Sequence, residues 1–167
     1  MEKKEFNITE EILEILENNS KYSAEQIAVM VNRSVEEVKE IISKLEDENV
    51  IAGYKALVDW EKTPTETVTA LIEVKVTPQR GEGFDKVAER IFRYPQVKAC
   101  YLMSGGFDLT VILEGKSLRE VANFVAEKLA PLESVLSTST HFVLKKYKEN
   151  GTIFEKGDTD NREVVVL

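Results

Sequence analysis

The sequence predicts an α+β protein in two parts: three short helices, then a β-α-β-β-α-β unit. Three observations carry this. Apolar residues recur at helical spacing up to about residue 48, in three groups separated by polar breaks. From Val68 onward, strand-like runs alternate with two helical runs in that order. Between the parts, Thr63-Pro64-Thr65 interrupts any regular element, which puts a domain boundary at about residues 59–65.

The first helix follows from Ile8, Ile12, Leu13, Ile15 and Leu16 and runs from about Thr9 to Glu17, where Asn18-Asn19-Ser20 ends it. Ser23 with Gln26 three residues on is a capping box that opens a second helix. Its inner face is Ile27, Ala28 and Val31. Asn32-Arg33 is a short break. Ser34 with Glu37 reads as another capping box, and Val35, Val38, Ile41, Ile42 and Leu45 carry a third helix to about Glu48. Three short helices with a tight turn between the second and third have the layout of a helix-turn-helix. The small Ala28 would let two helices cross closely. Any small helical bundle shares this pattern.

Val50 to Val58 reads as a linker strand leading to Trp60. The second part then opens with a strand from Val68 to Val76, ending at Pro78. Gly81 and Gly83 mark a loop. Phe84, Val87, Ala88, Ile91 and Phe92 give a helix closed by Pro95. Val97 to Ser104 and Phe107 to Glu114 read as a hairpin joined by Gly105-Gly106, since paired glycines accept the positive φ of a two-residue primed turn. Ser117 with Glu120 caps a helix faced by Leu118, Val121, Ala122, Val125 and Leu129. Val135 to Tyr147 is a last, long strand. This order is the split βαβ, ferredoxin-like pattern, with both helices on one face of a four-stranded sheet. Leu71 lies opposite in parity to Val68, Ala70, Ile72 and Val74. Cys100, Leu102 and Ile112 are opposite in parity to Tyr101, Met103, Leu109, Val111 and Leu113. Apolar residues on both faces, with helices for only one, predict a partner sheet, and a homodimer supplies it. The expected domains are therefore 1–60, helix-turn-helix with linker strand; 61–148, ferredoxin-like; and 149–167, a tail that is polar until Val164-Val165-Val166-Leu167.

The 167 residues, 43% of them hydrophobic, suffice for one domain or two small cores. No apolar run approaches ~18 residues, so no membrane span is expected. MEKKEFNITEE lacks the apolar centre of a signal peptide, and Cys100 is the single cysteine, so a reduced, cytoplasmic protein is expected. The net charge is −8 and unevenly placed. Residues 1–60 hold 7 Lys/Arg against 14 Asp/Glu, residues 61–148 hold 13 against 11, and residues 149–167 hold 2 against 5.

Signals of catalysis are poor. One His and one Cys cannot build a zinc site or a Cys-His nucleophile. His141 reads as a hydrogen-bonded strand histidine and Cys100 as a small buried hydrophobe. No P-loop or Gly-x-Gly-x-x-Gly is present. Gly81-Glu82-Gly83 carries acid where an anion site would need none. No cofactor is expected, and a small ferredoxin-like enzyme is the weakest of three functional readings. The remaining constellation is Ser104-Gly105-Gly106-Phe107-Asp108. A free amino acid needs N–H donors for its carboxylate and an acceptor for its ammonium. Glycines expose backbone N–H groups, Asp108 offers a carboxylate, and Thr138, Ser139 and Thr140 offer hydroxyls. A hairpin plus a β-favouring Ser/Thr run explains the same residues without a ligand.

The whole arrangement resembles the Lrp/AsnC ("feast/famine") family of transcription regulators over about residues 5–148. The resemblance is carried by "LEDENVIAGYKALVDW" at 45–60, "VKACYLMSGGFDLTVILEG" at 97–115 and "LESVLSTSTHFVLKKYK" at 132–148. It implies a DNA-binding regulator of transcription whose ferredoxin-like domain dimerises through its sheet and often assembles further. It also implies an amino acid or related small metabolite bound at interfaces near the glycine turn. Gly105, Gly106 and Asp108 match the family turn, and Thr138 and Thr140 its last strand. One departure matters. The family's third helix reads DNA and commonly carries arginines, whereas "RSVEEVKEIISKLEDE" places Glu36 and Glu37 at the end that would enter the major groove, with Glu40 and Ile41 where basic residues are common. The residues left to meet double-stranded DNA are Lys21, Arg33, Lys39, Lys44 and Lys55, with Ser34 presenting helix N-terminal N–H groups to phosphate and Glu36 at the groove. Weak or strongly salt-sensitive binding by a single dimer is expected, recovered by several dimers on one long site. The second functional reading follows from the same acidity: a ligand sensor whose helical domain meets a protein partner instead of DNA.

Overall fold

The computed structural model describes residues 8–77 and 83–154. The chain divides into two compact units between Leu57 and Val58.

The first unit holds α1 (Ile8–Asn18), α2 (Ala24–Val31) and α3 (Val35–Asp47). Their apolar stripes meet in one core of Ile12, Leu16, Ile27, Ala28, Val31 and Val38. Full burial of such aliphatic side chains contributes about 1.5–3 kcal/mol each. Ile41 and Ile42 pack against this core. The capping box of α2 is complete: Ser23 Oγ accepts from the Gln26 N–H at 3.3 Å, and Gln26 Oε1 accepts from the Ser23 N–H at 2.9 Å. Asn32 ends α2 in the left-handed conformation, φ 53°, which turns the chain sharply into α3. At α3 only half of the expected box forms. Ser34 Oγ accepts from the Glu37 N–H at 3.1 Å, while the Glu37 carboxylate turns to Arg33.

The expected linker strand is not formed. After Val50 and Ile51 donate to the Leu45 carbonyl, residues 52–59 have no regular structure and end in a 3₁₀ turn, Trp60–Lys62. A strand needs a neighbour for its N–H and C=O groups, and this segment has none among the described residues.

The second unit is a four-stranded antiparallel sheet with two helices. Its elements are β1 (Val68–Val76), α4 (Asp85–Phe92), β2 (Val97–Leu102), β3 (Leu109–Gly115), α5 (Leu118–Phe124) and β4 (Val135–Phe142). The strand order β2-β3-β1-β4 is the ferredoxin-like arrangement. Ala70, Ile72, Val74 and Val76 of β1 with Leu109, Val111 and Leu113 of β3 bury against Val87 and Ile91 of α4 and Val121 and Phe124 of α5. Tyr94 meets Phe124 edge to face, centroids 5.2 Å apart. A π-helical turn, Val125–Leu129, follows α5 and buries Leu129.

Register corrects the parity grouping of the hairpin. Cys100 pairs with Val111 and Leu102 with Leu109. Past the irregularity between Val97 and Ala99, even residues of β2 therefore share a face with odd residues of β3, and both lie on the helix side, where Val97 also packs. The open face carries Leu71, Tyr101 and Ile112, so apolar residues do occupy both faces.

Two strand ends also differ from expectation. β4 stops at Phe142 rather than Tyr147, because β1 begins at Val68 and the last bond of that edge runs from the Val143 N–H to the Thr69 carbonyl. The chain then forms a small hairpin, β5 (Lys148–Glu149) and β6 (Thr152–Ile153), which crosses the expected boundary between residues 148 and 149 into the stretch expected to be tail. Its turn is Asn150-Gly151, both at positive φ (44° and 79°), as a type I′ turn requires. Pro78, Gly81, Glu82 and Val164–Leu167 lie outside the described residues.

Candidate functional site

Two groups of residues were expected to bind something. The first is the exposed side of α3. Arg33, Ser34, Glu36, Lys39, Glu40 and Lys44 are all exposed, while Val38 and Leu45 point inward. Lys21 lies in the turn before α2, where its backbone N–H donates to Asn19 Oδ1, and Lys55 lies in the irregular segment after α3.

The cations of α3 are not idle. Arg33 Nε lies 3.9 Å from Glu37 Oε1, Lys39 Nζ 3.2 Å from Glu25 Oε1, and Lys44 Nζ 3.8 Å from Glu48 Oε1. Each of the three is held by a glutamate of the same unit. Two of these pairs follow the i,i+4 rule and were legible in the sequence. The third crosses from α3 to α2, and helical spacing alone gives no sign of it. Glu25 is held below its ordinary pKa chiefly by a backbone hydrogen bond, then by the Ser23 hydroxyl and by Lys39. Solvent screens exposed pairs of this kind and leaves them weak, so a phosphate can displace them.

The second group surrounds the glycine turn, which is not a two-residue turn. β2 ends at Leu102 and β3 begins at Leu109. The Met103 N–H donates to the Asp108 carbonyl at 2.8 Å and closes a four-residue loop, Ser104-Gly105-Gly106-Phe107. Only Gly105 has positive φ, 141°, where a primed type I turn would need it at both glycines. A Cβ at either glycine would meet nothing within 4 Å, so the loop backbone is open to solvent. Phe107 is half-buried.

Asp108 has a structural partner. Its Oδ2 accepts from the Val76 N–H at 2.8 Å, and its own N–H donates to the Val74 carbonyl at 3.1 Å. β1 runs past the start of β3 here and is bulged between Lys75 and Val76. The carboxylate thus stands in for the carbonyl that the ladder no longer supplies.

Thr138 pairs with Val74 and Thr140 with Ile72, so both threonines lie half-buried on the helix side of β4. Asp108 and Thr138 flank the same residue of β1 from its two sides. The structure therefore brings the glycine loop, Asp108 and Thr138 to one end of the sheet, with Thr140 a step further along. Ser139 is not part of this group. It lies on the open face, where its Oγ is 3.3 Å from His141 Nε2, which is 3.5 Å from Glu73 Oε1. His141 is a partnered strand histidine, as expected. Cys100 packs half-buried against the core, and burial pushes its thiol pKa up.

A cleft of about 470 Å³ lies at the other end of β1, lined by Trp60, Val68, Thr69, Glu114, Val143 and Phe154 among others. None of the expected effector residues lines it. Among the described residues no group of three or more His, Cys, Asp or Glu side chains is placed to hold a metal ion, and no helix is long and apolar enough to cross a membrane.

Known proteins resemble both units. Residues 7–52 match the winged helix-turn-helix DNA-binding family, and residues 69–153 match the Lrp/AsnC ligand binding domain family. The chain is 57% identical over 156 residues to YugG, an uncharacterized HTH-type transcriptional regulator of Bacillus subtilis (strain 168), covering 93% of this chain and 94% of that one. It is 27% identical to a proline dehydrogenase transcriptional activator of Rhizobium radiobacter, covering 84% and 89%. Among solved structures, a Neisseria meningitidis transcriptional regulator in complex with L-Met superposes with a TM-score of 0.70 at 21% identity, over 89% of this chain and 94% of that one. Escherichia coli AsnC gives 0.66 at 17%, over 86% and 94%. These last two likenesses concern the fold.

Proposed function

The chain belongs to the Lrp/AsnC family of DNA-binding transcriptional regulators, which are not enzymes, and we propose that it responds to a free amino acid or a related small metabolite bound beside the glycine loop, at an interface between copies of the chain. The observation that carries this reading is the open backbone of Gly105 and Gly106 at the same sheet end as Asp108 and Thr138. The two glycine N–H groups and the Ser104 hydroxyl suit a carboxylate. Asp108 spends Oδ2 on Val76, and a carboxylate has about four acceptor sites, so its other oxygen is the one to meet an ammonium. Phe107 forms a wall, and Thr138 and Thr140 offer hydroxyls. The L-Met complex of the Neisseria regulator, with the same fold, supports an amino acid as the ligand class.

The DNA side rests on α3. Arg33, Lys39 and Lys44 meet phosphates once their glutamate partners are displaced, Lys21 joins them from the turn before α2, and Ser34 and Glu36 stand at the end of the helix that enters the groove. A net −7 over residues 1–60 opposes DNA at long range. Tight binding therefore needs several dimers on one long site.

Fluorescence anisotropy on DNA from upstream of the chain's own gene, at two salt concentrations and with a panel of amino acids, tests both halves. Saturable binding that one amino acid shifts is the expected result. DNA binding that no amino acid shifts, with no amino acid bound by calorimetry, would sink the effector reading. No binding at low salt would favour a protein partner for the helical unit.

A further inference from the structure

We propose that Glu36 and Glu40 are specificity-determining residues that read cytosine in the major groove; this rests on α3 being the helix that enters the groove. Glu36 is the second residue of α3 and Glu40 lies one turn on, about 6 Å along the axis. Both are exposed on the side away from Val38 and Leu45. Four neighbouring acids are engaged: Glu37 with Arg33, Glu25 with Lys39, Glu48 with Lys44, and Glu46 with the Tyr54 hydroxyl at 2.8 Å. Glu36 and Glu40 have no ion-pair or hydrogen-bond partner among the described residues. The first two turns of a recognition helix are where side chains reach base edges.

A carboxylate there has a restricted choice. It only accepts hydrogen bonds, so it gains nothing from phosphate, from the O6 and N7 of guanine or from the O4 of thymine. Two donors face the major groove, the amino groups of cytosine and adenine. Adenine sets its N7 acceptor beside the amino group, which repels a carboxylate. Cytosine presents the amino group without an acceptor of its own beside it. Acidic residues on this face therefore lower affinity for DNA in general and spare sequences with cytosine in register. Lys39, between them in sequence and turned toward α2, is free to reach a phosphate on the groove wall once Glu25 is displaced.

The test is selection of binding sites from random duplex DNA with the full-length chain, its E36Q and E36A variants, and E40Q. Circular dichroism confirms that each variant is folded. The wild type is expected to select fixed cytosines, and replacing one should weaken binding about tenfold. E36Q should convert its cytosine to adenine, because an amide pairs with both N6 and N7 of adenine. E36A should lose preference at that position, and E40Q should switch a different one. Variants that select the wild-type sequence while gaining affinity equally for all DNA would overturn the proposal and leave the carboxylates as phosphate repellents. A wild type that selects no DNA at low salt would overturn the groove placement itself, and the proposal with it.

Discussion

The carboxylate of Asp108 and the backbone N–H of Val76 are joined by a 2.8 Å hydrogen bond across the frayed end of the β1–β3 ladder. The same residue binds Val74 through its N–H and Met103 through its carbonyl. Asp108 therefore ties β1, β2 and β3 together before it meets any ligand. Replacing it with alanine leaves a part-buried N–H without a partner, at a cost of about 1–3 kcal/mol. Asp108→Asn keeps an acceptor oxygen and should cost less. Urea denaturation of both variants measures this. An Asp108→Ala variant as stable as the wild type would mean that water replaces the carboxylate at no cost. Loss of effector response in Asp108→Ala is ambiguous for the same reason. Asp108→Asn separates the two roles, since it keeps the acceptor and removes the charge proposed to meet an effector's ammonium.

Glutamates occupy the cations that DNA would need. Glu25→Gln releases Lys39, and Glu37→Gln releases Arg33. Each should raise affinity for DNA at low salt and steepen the dependence of log affinity on log salt by about 0.9 per phosphate gained. Unchanged slopes in both variants would remove these cations from the interface. The pH dependence has a definite sign. The folded-state pKa of Glu25 is lowered, so its stabilising contribution is present above the ordinary value of 4.5 and is lost as pH falls through the lowered one. The Glu25–Lys39 pair is therefore intact at neutral pH, and a change in DNA affinity between pH 6 and 8 does not originate there.

Cys100 gives an alkaline counterpart. Burial raises its thiol pKa above the ordinary 9.0. The native state keeps this proton longer than the unfolded chain does. Its contribution to stability is thus complete below 9.0 and falls away as pH rises through the raised value. Alkylation by iodoacetamide at pH 8 should be slower in the folded protein than in urea, and should accelerate above pH 9. Equal rates in the two states at pH 8 would mean that the thiol is not shielded.

Which elements were legible follows from how local their causes are. The helices rest on spacing and on Ser23, Ser34 and Ser117, whose caps act within three residues; their starts fall within a residue or two of expectation, while α5 gives way after Phe124 to the π-helical turn that carries Val125 and Leu129. β1 was legible because Ala70, Ile72 and Val74 alternate with the residues between them. The hairpin faces were not, because parity carries across a turn only when the register is known, and Cys100 opposite Val111 reverses it. Gly105-Gly106 reads as a two-residue turn but closes a longer loop, whereas Asn150-Gly151, the stronger signal, forms the two-residue turn in a segment whose polarity reads as tail. The linker depends on a neighbour that its own sequence does not specify. At the candidate site, Thr138 and Ser139 read alike as hydroxyls. Pairing with β1 puts them on opposite faces, and only Thr138 joins Asp108 at the glycine loop.

The open face of the sheet yields a prediction about assembly. Ala99, Ile112, Leu71 and His141 are in register across all four strands, and Tyr101, 56% exposed, stands beside this row. Helices cover only the other face. An antiparallel sheet can leave one face in water, but that face is then expected to be polar. Leu71 and Ile112 at its centre instead suit a second copy of the chain packed sheet to sheet, the arrangement of two sheets about 10 Å apart. Leu71→Lys puts a charge in the middle of that row without touching the helix-side core. The wild type should sediment as a dimer or larger, and Leu71→Lys should shift toward monomer at the same concentration while keeping its circular dichroism. A variant that associates as strongly as the wild type would move the interface off this face, and the exposed apolar residues after β4, Leu144 and Tyr147, would be the next to substitute.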